Sequence, residues 1–88
     1  MKLLYCGRCH DIFALFPRQE KRCECRASRG AYLDDFIHAW YCGPCVPLGI
    51  DTMSFLEAIE DQPDQGGGRT FEAFVIPREC PTFVKKPA

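Results

Sequence analysis

The sequence predicts a small α+β domain stapled near its amino-terminal end. Three observations point there. Short apolar runs alternate with Gly, Pro and polar breaks. One stretch alone has helical spacing, and seven of the 88 residues are cysteine. A hydrophobic content of 47% with eleven aromatic side chains excludes disorder as the default state. Eleven basic against twelve acidic side chains leave a net charge of −1. That balance excludes a chain that coats nucleic acid by bulk charge alone.

The elements follow in order. Lys2 to Tyr5 reads as a short strand, and Asp11 to Phe16 as a second one stopped by Pro17. Residues 18–29 are polar and basic, a loop carrying Cys23 and Cys25. Residues 31–33 and 36–41 alternate like strands, with Phe36, His38 and Trp40 on one face and Ile37, Ala39 and Tyr41 on the other. Gly43, Pro44, Pro47 and Gly49 break the chain before the helix. Ser54 followed by Glu57 has the spacing of a capping box, in which hydroxyl and carboxylate satisfy each other's amides. Phe55, Leu56 and Ile59 then form the apolar stripe, and Pro63 requires the helix to end by Gln62. Gln65 to Arg69 is a glycine turn, and residues 71–76 are a strand closed by Pro77. Short connections imply an antiparallel sheet packed by this helix. Residues 1–84 are expected to form one domain, with 85–88 as a loose tail.

The cysteines carry the chemistry. A domain of this size has a small core and commonly needs a staple. The odd cysteine count argues against a closed disulfide framework. No leader-like apolar run and no stretch near ~18 apolar residues is present, so a cytoplasmic setting with reduced thiols is expected, with no membrane contact. Metal is then the leading staple. Cys6-x-x-Cys9 has the spacing at which a tight turn aims two sulfurs at one point, and Cys23-x-Cys25 offers a second close pair. Four thiolates close a tetrahedral Zn²⁺ shell and leave no position for water or substrate. One structural Zn²⁺ per chain at Cys6, Cys9, Cys23 and Cys25 is therefore expected, supplying about 10–16 kcal/mol in apparent terms.

Two other shells stay open at this level. Cys42 and Cys45 could replace Cys23 and Cys25, or could join Cys80 and His38 or His10 in a second site. The favoured reading is that Cys42, Cys45 and Cys80 are small buried residues and that both histidines are hydrogen-bonded.

Tyr5-Cys6-Gly7-Arg8-Cys9 and Cys23-Glu24-Cys25 resemble the knuckles of zinc-ribbon and rubredoxin-like proteins. The resemblance covers about a third of the chain and implies a metal-stapled β-hairpin. The cysteine pairs, the Ser54-Phe55 helix start, Phe74 to Pro77 and Cys80-Pro81-Thr82 also resemble a group of small bacterial proteins of unknown function. That likeness implies a fold and no activity.

Other motifs compete. Cys6 to His10 matches C-x-x-C-H, but haem attachment is not expected in a chain with this extended, Pro-broken pattern. Trp40-Tyr41-Cys42-Gly43-Pro44-Cys45 resembles the redox site of thioredoxins with one residue inserted, and Cys80-Pro81-Thr82 resembles the loop that faces it. That chemistry needs a helix N-terminus at the first thiol, which Pro47 and Gly49 oppose. Gly66-Gly67-Gly68-Arg69 lacks the Lys-Ser/Thr of a phosphate loop.

The expected function is a non-enzymatic module that binds another protein. No nucleophile-base set or open metal shell is visible, and Tyr32, Trp40, Tyr41 and Phe83 exceed what a small core obviously needs. The candidate contact residues are Arg18, Lys21, Arg22, Arg26 and Arg29, together with Trp40 and Tyr41. The same cations offer a nucleic-acid alternative, or simply offset the charge of a four-thiolate metal. Thiol-disulfide exchange at Cys42 and Cys45 is the third reading.

Overall fold

A computed structural model describes residues 1–87. Eight strands and one helix appear in the order β1 (Lys2–Cys6), β2 (Ile12–Ala14), β3 (Lys21–Arg22), β4 (Arg29–Tyr32), β5 (Ala39–Cys42), β6 (Cys45–Ile50), α1 (Thr52–Glu60), β7 (Ala73–Val75) and β8 (Phe83–Lys85). This is a small α+β fold. One sheet has the order β2-β1-β6-β7 and the other β3-β4-β5-β8. Leu4, Phe13, Cys45 and Ile76 of the first sheet region meet Cys23, Ala39, Tyr41 and Phe83 of the second in one core. The sheets pack closely at Gly30, where an added Cβ would stand 3.0 Å from the Leu4 side chain of the first sheet and 2.6 Å from the Trp40 carbonyl of its own.

The Gly- and Pro-rich stretch is expected to break the chain, yet β6 is the longest of the described strands and lies inside its sheet between β1 and β7. Pro47 is compatible because of register. Gly7 donates to the Pro44 carbonyl and Ile50 to the Met1 carbonyl, so the β1-facing groups of β6 fall on even positions. Pro47 stands opposite Leu4, where no amide is required for that ladder. Gly49 lets the Phe74 ring of β7 lie across the strand; an added Cβ would meet it at 2.5 Å.

The pairing between the named strands is antiparallel except at β8; a lone bridge from Pro17 to Tyr32 is also parallel. β5 and β8 run parallel, Ala39 opposite Phe83 and Tyr41 opposite Lys85. The intervening chain passes through β6, α1 and β7, which supplies the length a parallel return needs. The expected loose tail is correspondingly wrong at its start. Lys85 is in β8, the Lys86 amide donates to the Tyr41 carbonyl at 2.7 Å, and the Pro87 carbonyl accepts from the Cys42 thiol. Ala88 lies outside the described residues.

The helix also departs from expectation. It starts three residues earlier than the capping box implied, because Asp51 is the N-cap and its carboxylate accepts from the Ser54 amide at 3.1 Å. The Ser54 hydroxyl is used elsewhere, donating to the Asp51 carbonyl and accepting from the Glu72 amide. Nor does α1 cover a sheet. Ala58 is its one buried residue, while Leu56 and Ile59 of the anticipated core stripe are 49% and 52% exposed. The helix thus stands off the core. The radius of gyration is 14.2 Å, against about 12 Å for a compact chain of this length, and the longest dimension is 44 Å.

Candidate metal centre

The two cysteine pairs sit in two turns, one from each sheet. Cys6 ends β1 and Cys9 lies in the β1–β2 turn; Cys23 follows β3 and Cys25 lies in the β3–β4 turn. Both turns are built alike. In the first, the Cys6 amide donates to Asp11 and the His10 amide to the Cys6 carbonyl. In the second, the Cys23 amide donates to Ser28 and the Arg26 amide to the Cys23 carbonyl. The residue just after each second cysteine is left-handed, His10 at φ 63° and Arg26 at φ 67°. That bend swings both sulfurs of a pair to one side.

Together the turns bring the Sγ atoms of Cys6, Cys9, Cys23 and Cys25 within 4.8 Å of one another. These four could hold a metal ion. Cys6 to Cys25 is 3.8 Å and Cys23 to Cys25 is 3.5 Å. A tetrahedron with sulfur at ~2.3 Å from its centre has edges of about 3.8 Å, so the spacing suits a four-coordinate ion. Cys6 and Cys23 are buried and Cys25 is exposed, so the cluster sits at the edge of the core with one sulfur at the surface.

The surroundings fit thiolates. The Arg8 amide points at Cys6 Sγ at 3.4 Å and the Ser28 amide at Cys23 Sγ at 3.3 Å. The Ser28 hydroxyl is fully buried and has no hydrogen-bond partner among the described residues. It is the largest influence on Cys6, which the hydroxyl and the Cys9 amide bring down to about 6 against the opposing effect of burial. A thiolate at Cys6 is the acceptor this hydroxyl otherwise lacks. At Cys25 the Ala27 amide acts downward, but burial and the other three thiols outweigh it and push the group up to about 11. Four thiols this close resist ionising together; a cation among them removes the repulsion.

Sequence reasoning missed three parts of this centre. Asp11 Oδ2 accepts from the Glu24 amide at 2.9 Å and so joins the two turns. Ser28 closes the second turn. The Gly43-Pro44 turn is the third: Pro44 accepts from Gly7, and Gly43 at φ 105° lies so close to the second turn that an added Cβ would be 2.2 Å from the Ala27 carbonyl. The only signal for these was position, an Asp and a Ser two to three residues past a second cysteine.

The competing cysteines are placed elsewhere. Cys45 is the cross-strand partner of Cys6 and is buried, yet its thiol is outside the metal-competent group. Its thiol points to the Cys42 carbonyl, and burial pushes its pKa up. Cys42 closes β5 and Cys45 opens β6, so the Cys-Gly-Pro-Cys segment is a link between strands and no helix begins at its thiols. Cys80 contacts Thr82, His10 contacts Tyr5, and His38 contacts Asp35.

The candidate contact residues divide. Tyr41 is a correction: it is 2% exposed and its ring packs edge-on against the fully buried Phe83, so it belongs to the core. Period-two alternation put Tyr41 on one face of β5 without saying that this face is covered by a second sheet. Trp40 is half-buried on the opposite face, with Arg29 and Lys86 over its ring at 5.4 and 4.6 Å. Arg22 and Arg29 are cross-strand partners and share Glu20. Arg18 pairs with Asp34, Lys21 lies over Phe16, and Arg26 occupies the bend of the second turn.

Among the described residues, no helix is long and apolar enough to cross a membrane. No family model, curated protein or solved structure matches this chain.

Proposed function

We propose that this chain is a non-enzymatic zinc-ribbon-like module in which Cys6, Cys9, Cys23 and Cys25 hold one structural Zn²⁺ and the braced sheets present a surface to a protein partner. The observation that carries the reading is the convergence of four sulfurs from two turns belonging to two different sheets. An all-sulfur, tetrahedral site selects zinc or iron over harder ions. Four thiolates leave no open coordination position, so the ion holds structure and binds no substrate. Such a site requires reduced thiols, in keeping with a cytoplasmic setting.

Metal analysis of the full chain tests it. One zinc per chain is expected, released by chelator with loss of fold and unaffected by Cys42→Ser, whereas Cys23→Ser should lose it. A metal-free chain that is folded and indifferent to chelators would overturn the reading. A coloured, iron-loaded chain would overturn the assignment of zinc.

A second reading has one specific observation behind it. Arg22, Arg29 and Lys86 line the exposed side of the second sheet around Trp40, an arrangement suited to single-stranded nucleic acid. It predicts binding that weakens steeply with salt and is lost on Trp40→Ala together with Lys86→Ala.

A further inference from the structure

The segment from α1 to β7 carries a surface that the metal centre does not explain. β7 is the last strand of its sheet, and all three of its residues are exposed. The Asp51 amide donates to Glu72 and the Ile76 amide to Pro47, so the even positions of this segment face β6. The amides and carbonyls of Ala73 and Val75 therefore face outward, where no strand of the described residues pairs with them. Edge strands are commonly blunted by a lysine, a proline or a bulge. The sequence of β7, Ala-Phe-Val, has none of these, and Phe74 and Val75 are 53% and 66% exposed. The helix exposes Met53, Leu56 and Ile59. The helix is tied to the strand's entrance through Ser54 and Glu72 and through the edge-on Phe55–Phe71 pair at 4.9 Å.

The charge on this segment has one sign. Residues 51–76 contain six carboxylates and a single cation, Arg69, which is already held by Asp61 at 2.8 Å. Glu57, Glu60, Asp64 and Glu72 are all exposed around the apolar side chains.

We propose that the outer edge of β7 accepts an extended, basic segment of another protein as a fifth strand of the first sheet. This rests on the protein-binding reading above and names its partner chemistry. Main-chain bonds to Ala73 and Val75 hold the segment, its apolar side chains cover Val75 and the exposed helix residues, and its cations meet the surrounding carboxylates. A second copy of this chain is disfavoured as the occupant, because it would bring two acidic segments together.

The probe is a short acetylated peptide of alternating lysine and valine, titrated into the metal-loaded full chain and followed by amide NMR and hydrogen exchange. Shifts and new protection centred on Ala73 and Val75 are expected, weakening with salt. Val75→Pro should abolish them, since it removes an outward amide and leaves the Phe74 and Ile76 bonds to β6 in place. Should that variant fail to fold, Glu57→Lys with Glu60→Lys leaves the backbone intact and should weaken binding about tenfold. Equal binding of the matching glutamate-valine peptide would overturn the proposal. So would shifts confined to the Trp40 side, or protection of the same amides by self-association without peptide. Metal content distinguishes the two readings. If metal is bound normally and the peptide is ignored, only the strand-addition proposal fails.

Discussion

Asp11 and Glu24 lie in the β1–β2 and β3–β4 connections, and a hydrogen bond joins them: Asp11 Oδ2 accepts from the Glu24 amide at 2.9 Å. Asp11 follows the first cysteine pair and Glu24 lies between the cysteines of the second, so this contact ties the two sulfur pairs together. A carboxylate on a backbone amide is stronger than a neutral pair. Asp11→Ala should therefore cost about 1 kcal/mol in the unfolding of the metal-loaded chain and should speed transfer of metal to a colorimetric chelator. Asp11→Asn, which keeps an acceptor oxygen, should fall between the two. Unchanged metal retention in both variants would show that the ion alone sets the spacing.

Gly43 is required by geometry. Its φ of 105° is left-handed territory, and a Cβ would stand 2.2 Å from the Ala27 carbonyl. Strain and overlap with backbone together predict about 3 kcal/mol of destabilisation for Gly43→Ala, measured by urea unfolding. Pro44→Ala, which keeps the carbonyl that accepts from Gly7, should cost much less.

Acid stability has a traceable source at Asp35. The Ile37 and His38 amides, then the His38 imidazole, bring its carboxyl from the ordinary 3.8 to about 2. A lowered folded pKa stabilises the fold above the unfolded value and loses that contribution as pH falls. The contribution should be complete above about pH 5 and gone only below about pH 1. Asp35→Asn should flatten the pH dependence of unfolding across this window.

Phe83 is the fully buried anchor of the parallel strand and packs against Tyr41. Phe83→Ala should cost about 3–5 kcal/mol and release the Lys86 amide to rapid hydrogen exchange. Retained protection at Lys86 would mean that β8 is held by its backbone pairing alone.

How much of this was legible in the sequence varies by element. Both cysteine turns were, because a metal-competent pair depends on spacing a few residues long. The fold class was, because period-two runs and one helical run are local signals. The start of α1 was misread because Asp51 and Ser54 both suit a cap; the choice fell to Ser54 binding Glu72, eighteen positions away in the chain. β6 looks like a break in the sequence because proline and glycine oppose strands in general. They are tolerated here by register against Leu4 and by the Phe74 ring.

The sequence by itself determined the local hardware: which thiols are close enough to act as pairs, that strands run at Lys2 to Tyr5 and around Trp40, and that a single short helix precedes Pro63. Only the tertiary structure decided which pairs meet, that Tyr41 is inside while Trp40 is outside, that the last strand pairs in parallel, and that the helix leaves its apolar stripe uncovered. The physical reason is that spacing and periodicity are written within a few neighbouring residues. Convergence of Cys6 with Cys23, and the covering of one strand face by a second sheet, depend on contacts between segments far apart in the chain, which no short window contains.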